Sequence, residues 1–139
     1  MTVIKLVYEI DKQDFVKAGQ ASSEIKKVLK QLGVASEITR KVAIATYEAE
    51  MNIVIHSFGG YIEVAIDESG IKIKAKDRGP GIKDIELAMQ EGYTTASDKV
   101  RELGFGAGMG LPNIKRCADE FQIKSILNKH TELDVFIRL

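Results

Sequence analysis

The chain is poor in cysteine, in net charge and in long apolar runs, and each shortage narrows its chemistry. One cysteine among 139 residues leaves no intramolecular disulfide and no multi-thiolate zinc site. Twenty Lys and Arg are matched by twenty Asp and Glu, so the basic excess that holds a protein on nucleic acid or anionic lipid is missing. No apolar run approaches the roughly 20 residues that span a bilayer, and no signal-peptide pattern opens the sequence. Linkers, internal repeats and low-complexity tracts are absent as well. What remains is 45% hydrophobic and 29% charged, an ordinary globular balance rather than a disordered one. The length suits one domain over residues 1–139. The expectation is a soluble, cytoplasmic protein with no direct nucleic-acid or membrane partner.

Periodicity predicts the elements. Residues Val3 to Ile10 alternate as a strand, with Ile4, Leu6, Tyr8 and Ile10 on one side. Phe15, Ala18, Ile25, Val28, Leu29 and Leu32 then recur at helical spacing, the last four as core, and Gly33 stands where a C-cap glycine belongs. A second, longer helix is expected from an N-cap at Ser36 to about His56, where Gly59 and Gly60 stop it. Tyr61 to Ile66 and Ile71 to Lys76 alternate around Asp67-Glu68-Ser69-Gly70, a hairpin pattern. A short helix near Asp84 to Gln90 precedes a stretch from Gly92 to Gly110 that holds five of the twelve glycines. Pro112 suits the first turn of a helix whose apolar face is Ile114, Cys117, Ala118 and Phe121. Strands at Gln122 to Leu127 and Leu133 to Leu139 close the chain. Hairpins segregated from helices predict an α+β, two-layer sandwich of a mixed β-sheet and a helical layer.

Three constellations stand out. On the second helix, Glu48 and Asn52 are four apart and project from one face. A carboxylate that accepts a proton beside an amide oxygen that ligates Mg²⁺ suits phosphate chemistry; alone, the pair reads more readily as a solvated surface pair. Asp77-Arg78-Gly79-Pro80-Gly81 follows a strand end, where a ligand-facing loop belongs, and a carboxylate there can accept from an exocyclic amine such as that of adenine. Alone, it reads as a turn. Gly104, Gly106, Gly108 and Gly110 alternate just before a helix N-terminus, leaving N–H groups to wrap an anion. The run lacks the Gly-Lys-Ser/Thr ending of a P-loop and the spacing of a dinucleotide-binding fingerprint.

In this order and spacing, an E-x-x-x-N helix, a D-x-G-x-G loop and a G-x-G-x-G lid resemble the N, G1 and G2 boxes of the gyrase, heat-shock chaperone and histidine-kinase (GHKL) ATPase superfamily. The resemblance covers essentially the whole chain from Ser36 onward. The short length and the phrase Gly108-Met109-Gly110-Leu111-Pro112-Asn113-Ile114-Lys115-Arg116 look most like the small anti-sigma regulatory serine/threonine kinases of bacteria. It implies a histidine-kinase-like ATPase domain of Bergerat type, with ATP and Mg²⁺ as cofactors. By the resemblance, Glu48 is the general base and Asn52 holds Mg²⁺. Asp77 reads adenine, Gly79 and Gly81 form the base pocket, and Gly104, Gly106, Gly108 and Gly110 line the lid. Thr131 aligns with a threonine that helps bind adenine, although His130 precedes it where the family has glycine.

The implied activity is ATP-dependent phosphorylation of a STAS-domain anti-anti-sigma protein, with a sigma factor as a further partner and a homodimer as the assembly. Two alternatives stand beside it: a nucleotide-sensing partner-switch module without transfer, and slow ATP hydrolysis alone. Lys99 and Arg101 belong to the lid between Tyr93 and Gly110 and are candidates to reach phosphate, and Glu50 reads as a solvent-facing turn of its helix. His56 lines the site or caps its helix. Cys117 reads as a small buried hydrophobe.

Overall fold

The computed structural model describes residues 3–12, 14–90 and 110–139. Strand β1 (Ile4–Ile10) turns Ile4, Leu6, Tyr8 and Ile10 inward and leaves Lys5, Val7 and Glu9 exposed. Helices α1 (Gln20–Gln31) and α2 (Ser36–His56) follow, then the hairpin of β2 (Gly60–Ile66) and β3 (Gly70–Asp77). A single turn, α3 (Ile85–Ala88), and helix α4 (Gly110–Cys117) precede β4 (Glu120–Ile126) and β5 (His130–Arg138). The α+β, two-layer expectation holds.

The strand order is β1-β2-β3-β5-β4, and all four pairings are antiparallel, so the described sheet is antiparallel rather than mixed. The two helices between β1 and β2 return the chain antiparallel to its start. Strand β4 does run in the same direction as β3, but β5 lies between them and pairs with both. Strand periodicity then sorts the residues. Ile62, Val64, Ile66, Ile71, Ile73, Ala75, Leu133, Val135 and Ile137 are all at most 6% exposed and form the core with the helices. The opposite face carries charge, including Lys5–Glu63 and Lys74–Glu132 pairs at 3.3 and 3.5 Å.

Helix α2 lies between α1 and α4 and above the sheet. It buries Val42, Ala45, Thr46, Ala49, Met51, Ile53 and Val54, more than one narrow stripe, because it is covered from several sides. Its start differs from expectation: Ala35 is the N-cap, no side chain caps it, and Ser36 is already helical. Helix α1 ends with Val34 N–H on Leu29 O and Gly33 N–H on Lys30 O, with Gly33 at φ +76°, the paired bonds of a glycine-closed helix end. That turn carries Leu32 off the buried stripe, leaving it 45% exposed rather than in the core. Helix α4 stops at Cys117, so Phe121 packs from β4 and not from the helix.

Candidate functional site

Glu48 and Asn52 stand one turn apart on α2, both half-buried. The start of α4 lies directly over them. A Cβ built on Gly110 would sit 3.1 Å from Glu48 Oε2 and 3.3 Å from Asn52 Oδ1, so a side chain there would press on both polar groups. The first-turn N–H groups of α4 and the positive end of its dipole are therefore brought beside the carboxylate and the amide. Burial raises the Glu48 pKa, and a side-chain hydrogen bond from Asn113 partly opposes the rise. Asn113 in turn accepts from Arg116 Nη2 at 2.7 Å. Asn113 was not among the expected site residues, yet it had a signal: it lies one helical turn beyond Gly110 and shares its face.

The second cluster forms where β3 and β5 end. Alternation makes Asp77 the last inward position of β3 and Thr131 the first of β5. Thr131 N–H donates to Asp77 Oδ1 at 2.9 Å. The Thr131 and Ser125 hydroxyls are 3.1 Å apart, and Ser125 Oγ accepts from Ile82 N–H at 2.6 Å. Burial raises the Asp77 pKa, against the Thr131 hydrogen bond and the charge of His130. His130, where the resemblance leads one to expect glycine, thus sits within electrostatic reach of the carboxylate. Ser125 was also missed. Its signal is a polar residue interrupting the stripe that Phe121 and Ile123 begin on β4.

Gly79 and Gly81 fit this corner for different reasons. A Cβ on Gly79 would lie 2.9 Å from Ser57 Cβ and 3.1 Å from Asp77 Oδ1. Gly81 has φ +78°, and its Cβ would come within 2.7 Å of Ile126 O. The loop is held to the β4–β5 turn by Asn128 N–H on Pro80 O at 2.7 Å and Gly79 N–H on Lys129 O at 3.3 Å. Ser57 follows the last residue of α2, so this helix carries one cluster at Glu48 and meets the other at its end. The nine-residue step from Glu48 to Ser57 corresponds to roughly 14 Å along the axis.

Gly104, Gly106 and Gly108, like Lys99 and Arg101, lie outside the described residues; Gly110 is the one glycine of the run that is described. Among the described residues no group of three His, Cys, Asp and Glu side chains is placed to hold a metal. The donor set at Asn52 fits Mg²⁺ of the kind bound by one or two protein oxygens together with substrate phosphates.

Glu50 departs from expectation. It is 2% exposed, not solvent-facing. Oε2 accepts from Ala21 N–H and Oε1 from Ser22 N–H, both at 3.2 Å, which satisfies the opening turn of α1, a helix without a side-chain cap at its N-cap residue Gly19. On a helix covered from several sides, the position two past Glu48 faces α1 rather than water. His56 is half-buried and its pKa is lowered by that burial, which disfavours the cationic cap that its place at a helix C-terminus suggested. Cys117 packs partly against the core, and burial raises its pKa, as expected of a small hydrophobe. Among the described residues no helix is long and apolar enough to cross a membrane.

The histidine kinase-like ATPase domain family matches residues 13–136. The chain is 35% identical over 112 residues to the serine/threonine-protein kinase RsbT of Bacillus subtilis, covering 78% of each. It is 33% identical over 106 residues to an anti-sigma F factor of Thermoanaerobacter pseudethanolicus, covering 73% of this chain and 71% of that one. A longer match, 27% over 137 residues, is to the anti-sigma F factor of Clostridium acetobutylicum, over 94% of this chain and 87% of that one.

Proposed function

Since the chain belongs to the histidine kinase-like ATPase domain family, we propose that it is a protein serine/threonine kinase that takes the γ-phosphoryl group from ATP to a hydroxyl of a STAS-domain anti-anti-sigma protein. The observation that carries this reading is the convergence of Glu48, Asn52 and the glycine start of α4, with Asp77 at the far end of the same helix. The separation suits a nucleotide lying along α2, with its base at Asp77 and its phosphates under α4.

Each residue has a task in this reading. Asp77 Oδ2 accepts from the adenine amine, because Oδ1 is taken by Thr131 N–H. Gly79 and Gly81 shape the base pocket by letting their loop close against Ser57 and Ile126, and Thr131 and Ser125 hold the carboxylate and the loop in place. Asn52 holds Mg²⁺, which when bound neutralises charge on the phosphates. Gly110, with Gly104, Gly106 and Gly108, presents backbone N–H groups to those phosphates. Glu48 accepts the hydroxyl proton as the acceptor oxygen bonds to the γ-phosphorus and the β–γ bridging P–O bond breaks, its electron pair leaving with ADP. Its raised pKa brings a carboxylate closer to the working range of a base. A sigma factor and a second copy of the chain complete the partners of this reading, in the cytoplasm.

The test is γ-labelled ATP with Mg²⁺ in a lysate of the source cells, comparing the wild type with Glu48→Gln. The expected result is one small labelled protein whose label is acid-stable, as a phosphoserine or phosphothreonine is, and which is absent with the variant. The variant should still bind ATP. Blank lanes beside intact ATP binding, with unphosphorylated acceptor confirmed in the lysate, would turn the reading to a nucleotide-sensing module. Steady phosphate release without any labelled protein would turn it to hydrolysis alone.

A further inference from the structure

The corner where β3, β4 and β5 meet holds a hydroxyl whose neighbours leave little choice for its proton. Ser125 Oγ accepts from Ile82 N–H at 2.6 Å, a group that can only donate. Two further oxygens are near it, Thr131 Oγ1 at 3.1 Å and the His130 carbonyl at 3.4 Å. The first lies at the edge of the ordinary O–H···O range and the second well past it, so the Ser125 proton goes to Thr131. Thr131 is 9% exposed, and among the described residues Ser125 is the one partner of its hydroxyl. With that oxygen accepting from Ser125, the Thr131 proton is left over. Thr131 N–H meanwhile donates to Asp77 Oδ1 at 2.9 Å, which ties the carboxylate to the same residue.

Adenine presents the 6-amino donor and the N1 acceptor side by side on one edge. Two protein acceptors there would satisfy the amine and face N1 with no hydrogen between them. An acceptor at Asp77 next to a donor at Thr131 matches both. We propose that Ser125 is a positioning residue for adenine: by giving its own proton to Thr131, it turns the Thr131 hydroxyl proton toward N1 while Asp77 takes the amine. The proposal rests on the reading of Asp77 and Thr131 as the base-binding pair, and adds the direction of the hydrogen bonds behind it. This role is separate from the hold of Ser125 on Ile82, which fastens the loop for any bound base alike.

The probe is 1-deazaATP, in which N1 is replaced by CH and the 6-amino group is kept. Calorimetric titration of the purified protein with Mg²⁺ gives its affinity for ATP and for 1-deazaATP. The wild type should prefer ATP by roughly 3- to 10-fold, the scale of one net hydrogen bond. Ser125→Ala should bind ATP more weakly by a similar factor, and its ratio between the two nucleotides should fall to about one. Ser125→Thr keeps the hydroxyl at a strand position that suits a β-branched residue, and should recover the preference. Urea unfolding beside the titrations shows that each variant is folded, and the wild-type comparison and Ser125→Thr stand without the alanine variant.

Ser125→Ala binding both nucleotides more weakly at the wild-type ratio would overturn the proposal and leave Ser125 as a fastener of the loop. A wild type that binds ATP and 1-deazaATP equally well would also overturn it, because no proton then reaches N1. Failure of the underlying reading looks different. A wild type that binds neither nucleotide, or Asp77→Asn binding ATP as tightly as the wild type, removes the base pocket itself and the proposal with it.

Discussion

Glu50 is a carboxylate carried into the interior to do what a cap residue does locally in most helices. Its two oxygens accept from successive N–H groups of α1, 29 and 28 positions away. An amide cannot reproduce this, because one oxygen becomes NH₂ and faces a backbone donor. Glu50→Gln should therefore destabilise the protein by about 1–3 kcal/mol, the scale of one buried donor left unsatisfied, read as a lower urea midpoint. The pH dependence has a definite sign. Burial raises the folded pKa of Glu50 above its unfolded value, so the native protein binds this proton more tightly than the unfolded chain does. The associated stability is full below the unfolded pKa and is lost as pH rises through the folded one. Urea midpoints measured from mildly acidic to neutral pH should fall for the wild type, and fall less for Glu50→Gln. Glu48 and Asp77 are raised by burial in the same direction and account for the slope that remains. A variant with an unchanged slope would show that Glu50 does not titrate in this window.

The loop after β3 shows what one glycine does for an element. Gly81 is in the left-handed region and its missing Cβ faces Ile126 O, so Gly81→Ala combines an unfavourable φ with a backbone collision. The expected loss is about 1–3 kcal/mol, together with weaker ATP binding, because the loop that carries Gly79 must move away from the β4–β5 turn. Calorimetric titration beside urea unfolding separates the two effects; normal ATP affinity in the destabilised variant would remove Gly81 from the base pocket. This loop also marks the boundary of what the sequence disclosed. Strand and helix positions were legible because their signals are local: alternation in β2 and β3, the hairpin asparagine-like turn at Asp67, whose Oδ1 accepts from Ser69 N–H at 2.8 Å, and the closing glycine of α1. Glu48, Asn52, Asp77 and Gly79 were legible as types at spacings. Asp77 meeting Thr131, 54 residues on, was reached through resemblance alone, since no periodicity reports a contact between strands that distant. Ser125 was missed because the groups it bonds, Ile82 N–H and the Thr131 hydroxyl, lie on other segments of the chain. Glu50 was misread because helical periodicity gives an angle, and the packing of α1 decides whether that angle faces water.

At the scale of the whole molecule, the candidate site spans both layers. Asn52 and Glu48 belong to α2, Gly110 to α4, and Asp77 and Thr131 to the sheet, so a nucleotide touching all of them would tie the helical layer to the strands. Binding to the folded state alone must then stabilise it, by about 2.7 kcal/mol when free ATP is 100 times its Kd. Thermal unfolding should rise with ATP in the presence of chelator and rise further when Mg²⁺ is supplied. Asn52→Ala should abolish the second increment and keep the first, because in the proposed reading its amide serves the metal while Asp77, near the other end of α2, serves the base. The two ends are separable in this test because they are anchored on different layers. If Asn52→Ala keeps the full Mg²⁺ increment, the metal is held by other oxygens and Asn52 is not its ligand. If ATP shifts neither protein with or without Mg²⁺, the cradle of Gly110 over Glu48 and Asn52 is helix packing and not a phosphate site.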